Sequence, residues 1–513
     1  MWGWRSSRTV AVGVAVAAFA VVCVLPLVYM IAMWIGALGR EASSYRDLWL
    51  DSRQRGLLFN TAVLGAGTAL GTTLVGVPLG LALARMVLPF KAGLRILLAA
   101  PALLPSYTVG LAWLALGESA WMRSLPAAVA VNMVTLYPLS MLMTEAAARA
   151  VEPRLEEAAS LMAEPGRVLW RITLPLVMPS VLAAALVVFV LAISDFGVPA
   201  LLRVRVFTTE IFTAFAALYD FVRATALAVP LLLLSLGVAF LAVRLTGDRL
   251  VATRRGRAGE LQTFDRGRAA AVGLMTGVVL AALVAPITIL AGEARQISSW
   301  RAVVAGSGDA IGNSLTLAAV GATLVCGVGL CLGYARARAG RGAAVAADVM
   351  FIVLFAVPAT IVGVALIGLW NRPGVTGAIY ATNGMVVLVY LARFTPLAAL
   401  TLAASLRHVP SSQEEAAAVS GAGWFRTMMQ IVLPQVKLGG LAVWVVVFTL
   451  AFGELGASVL VTPPGESTLP IRIYTLIANA PPAQVAALAL LQIAVIFTPL
   501  ALLGCGLAMR KRS

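Results

Sequence analysis

Runs of about 18 or more nearly uncharged apolar residues recur from one end of this chain to the other, and a run of that length is what a helix needs to cross a bilayer. Inside the hydrocarbon every backbone polar group must be satisfied within the protein, so such runs restrict the chain to a bundle of spanning helices. Composition agrees. Of 513 residues 61% are hydrophobic and 12% charged, with mean hydropathy +0.96, about half the charge of a soluble domain. The expected fold is all-α and polytopic, with about 12 transmembrane helices.

The net charge of +16 follows the positive-inside bias and requires no acidic partner. Basic residues gather at 1–8, at Lys91 and Arg95, in 244–268 and at 510–512, which places these segments and both termini in the cytoplasm. The basic run reads as a solvated linker beside anionic lipid headgroups, and no nucleic acid partner is expected. The first apolar run, 10–38, is too long for a signal-peptide core and is kept as a span. Cys23, Cys326, Cys331 and Cys505 all fall in apolar runs; they read as small buried hydrophobes with no disulfide framework.

The chain is internally duplicated. Pro105 and Gly110 return as Pro358 and Gly363, 253 residues on. Pro138 and Arg149 return as Pro396 and Arg407, 258 on, and Asp195, Gly197 and Leu201 as Glu454, Gly456 and Leu460, 259 on. Asn60-Thr61, followed by a run containing Gly65, Gly67, Gly71, Gly76 and Gly80 and ending at Arg85, matches Asn313-Ser314 and the run to Arg336. An offset that drifts so little marks a tandem duplication. The halves are 1–243 (core about 60–243) and 269–513 (core about 313–509), joined by the linker 244–268. Expected spans are 10–38, 60–85, 97–116, 127–144, 176–193 and 226–243, then 269–291, 313–334, 345–369, 377–397, 438–452 and 486–509. Six spans return the chain to the side it started from, so the repeats are parallel, related by an axis along the membrane normal. Pro101 and Pro105 kink the third span, the segment 195–223 includes re-entrant or interfacial helices, and the glycines let helices approach closely.

Each half carries one polar, amphipathic stretch on the cytoplasmic side. The first, 156–175, reads EEAASLMAEPGRVLWRITLP; the second, 414–434, reads EEAAAVSGAGWFRTMMQIVLP. Two glutamates open each copy, where carboxylates suit the positive end of a helix dipole. Small residues follow (Ala158 and Ala159; Ala416, Ala417 and Ala418) and let a helix lie close against a partner. Ile172-x-Leu174-Pro175 and Ile431-x-Leu433-Pro434 close the copies, the prolines reading as helix terminators. Both stretches are expected to be docking helices.

The second copy resembles the Glu-Ala-Ala, three residues, Gly, nine residues, Ile-X-Leu-Pro pattern of binding-protein-dependent ABC importer permeases. Glu415, Ala416, Ala417, Gly421, Ile431, Leu433 and Pro434 carry the match. The first copy keeps Glu157, Ala158, Ala159, Ile172, Leu174 and Pro175, but has Ala163 at the glycine position and is one residue shorter. The resemblance covers roughly 60–243 and 313–509. It implies the type I importer permease fold, two fused halves in a bacterial inner membrane. It also implies that each stretch is a coupling helix seated in an ATP-hydrolysing subunit, with two copies of that subunit and one periplasmic substrate-binding protein as partners. ATP binding would close the two subunits, and the coupling helices would carry that closure to the bundles, so that the pore opens alternately to each side. ATP-Mg belongs to those subunits, and this chain has no catalytic residue and no bound cofactor. Its lysines, Lys91, Lys437 and Lys511, all lack the preceding glycine of a phosphate-binding G-x-x-x-x-G-K loop.

The fused halves and the stretch 194–215, SDFGVPALLRVRVFTTEIFTAF, are similar to ferric-iron importer permeases. Similar fused permeases serve thiamine, phosphonates, polyamines and other small solutes. His408, the only histidine, falls in a cytoplasmic loop and the cysteines are scattered, so no metal-ligand cluster is expected and cargo recognition rests with the binding protein. Asp195 and Glu454 are repeat-equivalent carboxylates at outer span ends. They either guide a cation along the translocation pathway or end helices by bonding to nearby backbone. Arg203, Arg205 and Arg472 either meet the acidic rim of a binding protein or are solvated. Two other classes stay open: a secondary transporter driven by an ion gradient, with Asp195 and Glu454 as its coupling site, and a non-transporting membrane scaffold.

Overall fold

The computed structural model describes residues 2–40, 51–117, 119–246 and 267–510, and every regular element among them is helical. Most of the linker 244–268 and the Cys505 side chain lie outside the described residues. The first half contains α1 (Trp2–Phe19), α2 (Leu25–Arg40), α3 (Ser52–Arg85), α4 (Lys91–Ala99), α5 (Ser106–Leu114), α6 (Leu125–Ala150), α7 (Pro153–Ser160), α8 (Leu174–Ser194), α9 (Gly197–Leu201), α10 (Phe207–Phe212) and α11 (Phe221–Thr246). The second half repeats the series as α12 (Arg268–Val279), α13 (Ala285–Glu293), α14 (Ile297–Ala337), α15 (Arg341–Phe355), α16 (Ala359–Trp370), α17 (Gly384–Leu406), α18 (Ser411–Val419), α19 (Leu433–Phe452), α20 (Ser458–Val461), α21 (Leu469–Leu476) and α22 (Pro482–Arg510).

Ten helical stretches among the described residues are long and apolar enough to cross a membrane. Two further pairs pass as bent units, α4–α5 at 87° and α15–α16 at 94°. The third span is thus broken rather than kinked, and the ninth, expected as a continuous run, breaks at the equivalent place. Proline removes an N–H and drives the residue before it out of the α region. Leu104 has ψ 131°, and Pro105 and Pro358 have ψ 131° and 145°. Such a break is tolerated at membrane depth when protein covers it, and Ala359 to Ile367 are all buried. Other bounds shift: α3 starts earlier, at Ser52, where Asp51 accepts from the Arg53 N–H, and the tenth span moves along the chain to α17 rather than 377–397.

Prolines behave differently in the long helices. Four π turns, Ala20–Val24, Leu169–Thr173, Leu280–Val284 and Met428–Val432, each precede an X-Pro pair: Leu25-Pro26, Leu174-Pro175, Ala285-Pro286 and Leu433-Pro434. In each, the N–H before the proline bonds five residues back, as Leu174 does to the Leu169 carbonyl. A proline ring collides with the carbonyl four residues earlier, and the extra residue of a π turn moves that carbonyl aside. Pro175 and Pro434 therefore open α8 and α19, correcting their reading as terminators of the docking stretch.

The first span of each half packs on the other half. α1 and α2 lie against α14, α16 and α17, while α12 and α13 lie against α3, α4 and α5. Within each half α3, α6 and α8, or α14, α17 and α19, form a three-helix unit. Close approach depends on glycine: a Cβ on Gly80 would lie 2.5 Å from the Met141 carbonyl oxygen, and one on its counterpart Gly333 2.9 Å from that of Ala399. One apolar cluster runs through both halves, from Phe19 to Ile496. Cys23 is buried in it, whereas Cys326 and Cys331 are half-buried, so small-hydrophobe burial holds fully for the first of these three.

Candidate functional site

Each Glu-Glu stretch begins as a short helix held to the end of a long one. Glu156 in the first turn of α7 receives Arg85 Nη2 at 2.8 Å and Thr173 Oγ1 at 2.5 Å, and Arg85 Nη2 also reaches the Ala148 carbonyl at 2.7 Å. In the second half Glu414 in α18 receives Arg338 Nε at 2.9 Å and the Tyr334 hydroxyl at 2.6 Å. Arg338 Nη2 also donates to the Val409 carbonyl at 2.9 Å. Arg338 follows Arg85 by 253 residues and Glu414 follows Glu156 by 258, so the bracket is duplicated with the chain. The sequence pairs Arg85 with Arg336 and gives Glu156 and Glu414 a helix-dipole role alone. Arg336 instead pairs with Asp348. The offset of 253 taken strictly pairs Arg85 with Arg338, but the contact with the glutamate has no sequence signal.

The glutamates carried by the motif do the opposite. Glu157 and Glu415 are exposed, as are Ala158 and Ala416; Ala159 is half-buried and Ala417 buried. Ile172 and Ile431 lie in the π turns, half-buried, as are Leu174 and Leu433, while Pro175 and Pro434 are exposed. Gly421 ends α18 in the left-handed region, φ +81°. Its N–H bonds the Ala418 carbonyl and that of Ala422 bonds Ala417, the paired bonds of a Schellman cap. Ala163 has no positive φ, and its N–H bonds the Ala159 carbonyl instead. The missing glycine and the missing residue thus belong to one change in how the helix ends.

Where the halves meet there is a cavity of about 210 Å³ lined by counterparts, among them Ser106 and Ala359, Leu136 and Phe394, Asp195 and Glu454, and Gly197 and Gly456. Asp195 caps α9, accepting from Gly197 N at 3.0 Å, Val198 N at 3.4 Å and Ser106 Oγ at 3.2 Å. Glu454 precedes α20 and accepts from Ala457 N at 2.9 Å, Ser458 N at 2.8 Å and the Ser458 hydroxyl. It also takes Arg393 Nη1 at 2.9 Å. Both carboxylates therefore bond nearby backbone and also border one shared space. The aromatic rings of Phe196, Phe212 and Tyr474 pack beside it across the two halves, with centroids 4.8 and 5.7 Å from Phe196. No group of three or more His, Cys, Asp or Glu among the described residues is placed to hold a metal ion.

The repeat also explains Asn60-Thr61. Thr61 Oγ1 accepts from Phe207 N at 3.1 Å at the start of α10, and Ser314 Oγ from Leu469 N at 2.6 Å at the start of α21. Arg472 donates to the Gly306 carbonyl at 3.0 Å, whereas Arg203 and Arg205 are exposed.

The family described as binding-protein-dependent transport system inner membrane component matches the chain twice, over residues 76–250 and 326–504. The chain belongs to this family. As a permease of that family it is a transport subunit of an ABC importer, which works with an ATPase and a periplasmic binding protein. The Fe(3+)-transport system permease protein FbpB 2 of Haemophilus influenzae is 23% identical to this permease over 445 residues, 83% of this chain and 85% of that protein. The ferric transport system permease protein FbpB of Actinobacillus pleuropneumoniae is 23% identical over 66% of this chain and 52% of its own length. The molybdenum transport system permease protein ModB of Mycobacterium tuberculosis is 34% identical over 28% of this chain and 60% of its own length.

Proposed function

We propose that this permease carries ferric iron across a bacterial inner membrane, taking it from a periplasmic binding protein. One observation carries the reading: the relative named for Fe(3+) transport aligns along more than four-fifths of both chains, a length that takes in both halves. Two copies of the ATP-hydrolysing subunit, with ATP and Mg, seat α7 and α18, one each, and both termini lie on that cytoplasmic side. The duplicated brackets support this, since they tie each short helix to the end of a spanning helix and leave Glu157 and Glu415 exposed for a partner. Closure of the ATPases then moves the bundles, and cargo passes between the halves beside Asp195 and Glu454.

The test is uptake of labelled ferric iron by vesicles containing this chain, its ATPase and its binding protein. Uptake that needs ATP and all three components supports the reading. Uptake by the chain alone under an ion gradient would identify a secondary transporter instead. ATP-driven uptake of molybdate or a polyamine, but not of iron, would keep the importer and remove the cargo.

A further inference from the structure

Charge in the cavity wall is not shared equally between the repeats. Arg393 stands 258 residues after Thr135, so the guanidinium that neutralises Glu454 has no counterpart beside Asp195. Glu454 accepts from four donors including that arginine, at 2.8–2.9 Å in the three nitrogen bonds. Asp195 has only neutral donors, three of them at 3.0–3.4 Å, with the Asn132 amide turned toward it as well. Of the charged residues lining the cavity, Arg393 and Glu454 cancel, and Asp195 remains as one net negative charge.

A second, independent feature stands next to it. Asn132 lines the same cavity and is 1% exposed; its amide nitrogen is turned toward the Asp195 carboxylate, and its side-chain oxygen accepts no hydrogen bond. A buried amide oxygen left open is costly, and a ligand in the cavity would satisfy it. Ser106 adds a hydroxyl oxygen on the same wall.

We propose that Asp195, Asn132 and Ser106 form a one-sided way-station for a hard, partly hydrated multivalent cation, with Glu454 kept out of the site by Arg393. The inference rests on the cation reading of the cargo given above and deepens it. Carboxylate, amide and hydroxyl oxygens suit hard cations, and imidazole and thiolate donors are absent from this wall. One carboxylate with neutral oxygens holds an ion weakly, which suits a passage that must release what it takes up.

The probe is trivalent terbium titrated into the full chain in lipid nanodiscs, read by emission sensitised through Tyr107, which lines the cavity. Asp195→Asn should weaken terbium binding by about tenfold or more, Asn132→Leu by about threefold, and Glu454→Gln by less than about twofold. Asn132→Leu keeps the test available if Asp195→Asn misfolds, since it leaves the α9 cap in place. Wild-type affinity in both first-half variants, or an equal loss in Glu454→Gln, overturns the way-station. The cargo reading is checked separately. Terbium bound through Asp195 without ATP-driven iron uptake keeps the way-station and removes iron as cargo. Asp195→Asn with wild-type iron KM and terbium affinity removes the way-station and keeps iron.

Discussion

Arg85 Nη2 lies 2.8 Å from Glu156 Oε1 with the arginine side chain 3% exposed, and Arg338 repeats the contact with Glu414 in the second half. The glutamate belongs to the first turn of a short helix and the arginine to the end of a long one. Neither helix can tilt without pulling the other. A pair this dry contributes little net stability compared with apolar replacements, but removing one partner leaves an uncompensated charge.

Glu156→Ala should therefore lower the unfolding free energy of the chain in mixed micelles by about 3–5 kcal/mol, and Arg85→Met/Glu156→Leu should recover most of it. In the assembled importer the single variant should hydrolyse ATP with reduced uptake. A double-mutant cycle measures the coupling; a value below about 0.5 kcal/mol, the range of independent sites, would show that the bracket holds nothing.

Glu157 and Glu415 should behave in the contrary way. Their exposure means that Glu157→Ala and Glu415→Ala change unfolding by no more than about 0.5 kcal/mol. Co-purification of the ATPase should fall all the same. Equal loss of stability in both glutamate positions would contradict the division of labour within each Glu-Glu pair.

At Gly421 the constraint is backbone alone. Its φ is +81°, and a Cβ there would meet nothing within 4 Å beyond its chain neighbours, so Gly421→Ala costs about 1–2 kcal/mol through the left-handed conformation and nothing through packing against other residues. The strain falls on the end of α18. Expected is a folded chain whose ATPase activity persists while uptake drops, more so for Gly421→Val. Ala163→Gly in the first half should change neither, because that helix end has no left-handed residue.

Much of the architecture is legible in the sequence because it is periodic or duplicated. Apolar run length gives the spans, and an offset that drifts only from 253 to 259 pairs Pro105 with Pro358 and Asp195 with Glu454. What stays hidden depends on geometry that residue type does not encode. A proline can break a helix, as Pro358 does, or be absorbed by a π turn, as Pro175 is, and hydropathy is the same in both. Arg85 and Glu156 are 71 residues apart, and nothing local in either stretch points to the other. The unequal charge of the cavity was within reach, since Thr135 and Arg393 stand at the repeat offset, but which carboxylate the arginine neutralises needs coordinates.

Gly80 and Gly93 make a matched pair for the packing of the spans. A Cβ at Gly80 would lie 2.5 Å from backbone oxygen, which cannot move aside as a side chain can, whereas one at Gly93 meets nothing within 4 Å. Gly80→Ala should destabilise by about 1–3 kcal/mol or more through overpacking. Gly93→Ala, inside α4, should stabilise by about 0.5–1 kcal/mol through the helix preference for alanine. Thermal unfolding of the two variants side by side decides it.

Arg393 gives the sharpest contrast between the halves. The Arg393 side chain is 22% exposed and Glu454 1%, so Arg393→Met leaves a buried carboxylate with hydrogen bonds but no opposite charge, a loss of about 3–5 kcal/mol. Glu454→Gln removes the charge instead and keeps one acceptor oxygen, for Ala457 N or for Ser458 N but not both, and the double variant should lie closer to wild type than Arg393→Met alone. The first half supplies the control: Thr135→Met puts the same side chain at the equivalent position, where no carboxylate is stranded, and its loss should be smaller. If Arg393→Met and the double variant unfold alike, the ion pair is not what holds Glu454, and the three donors from Ala457 and Ser458 suffice.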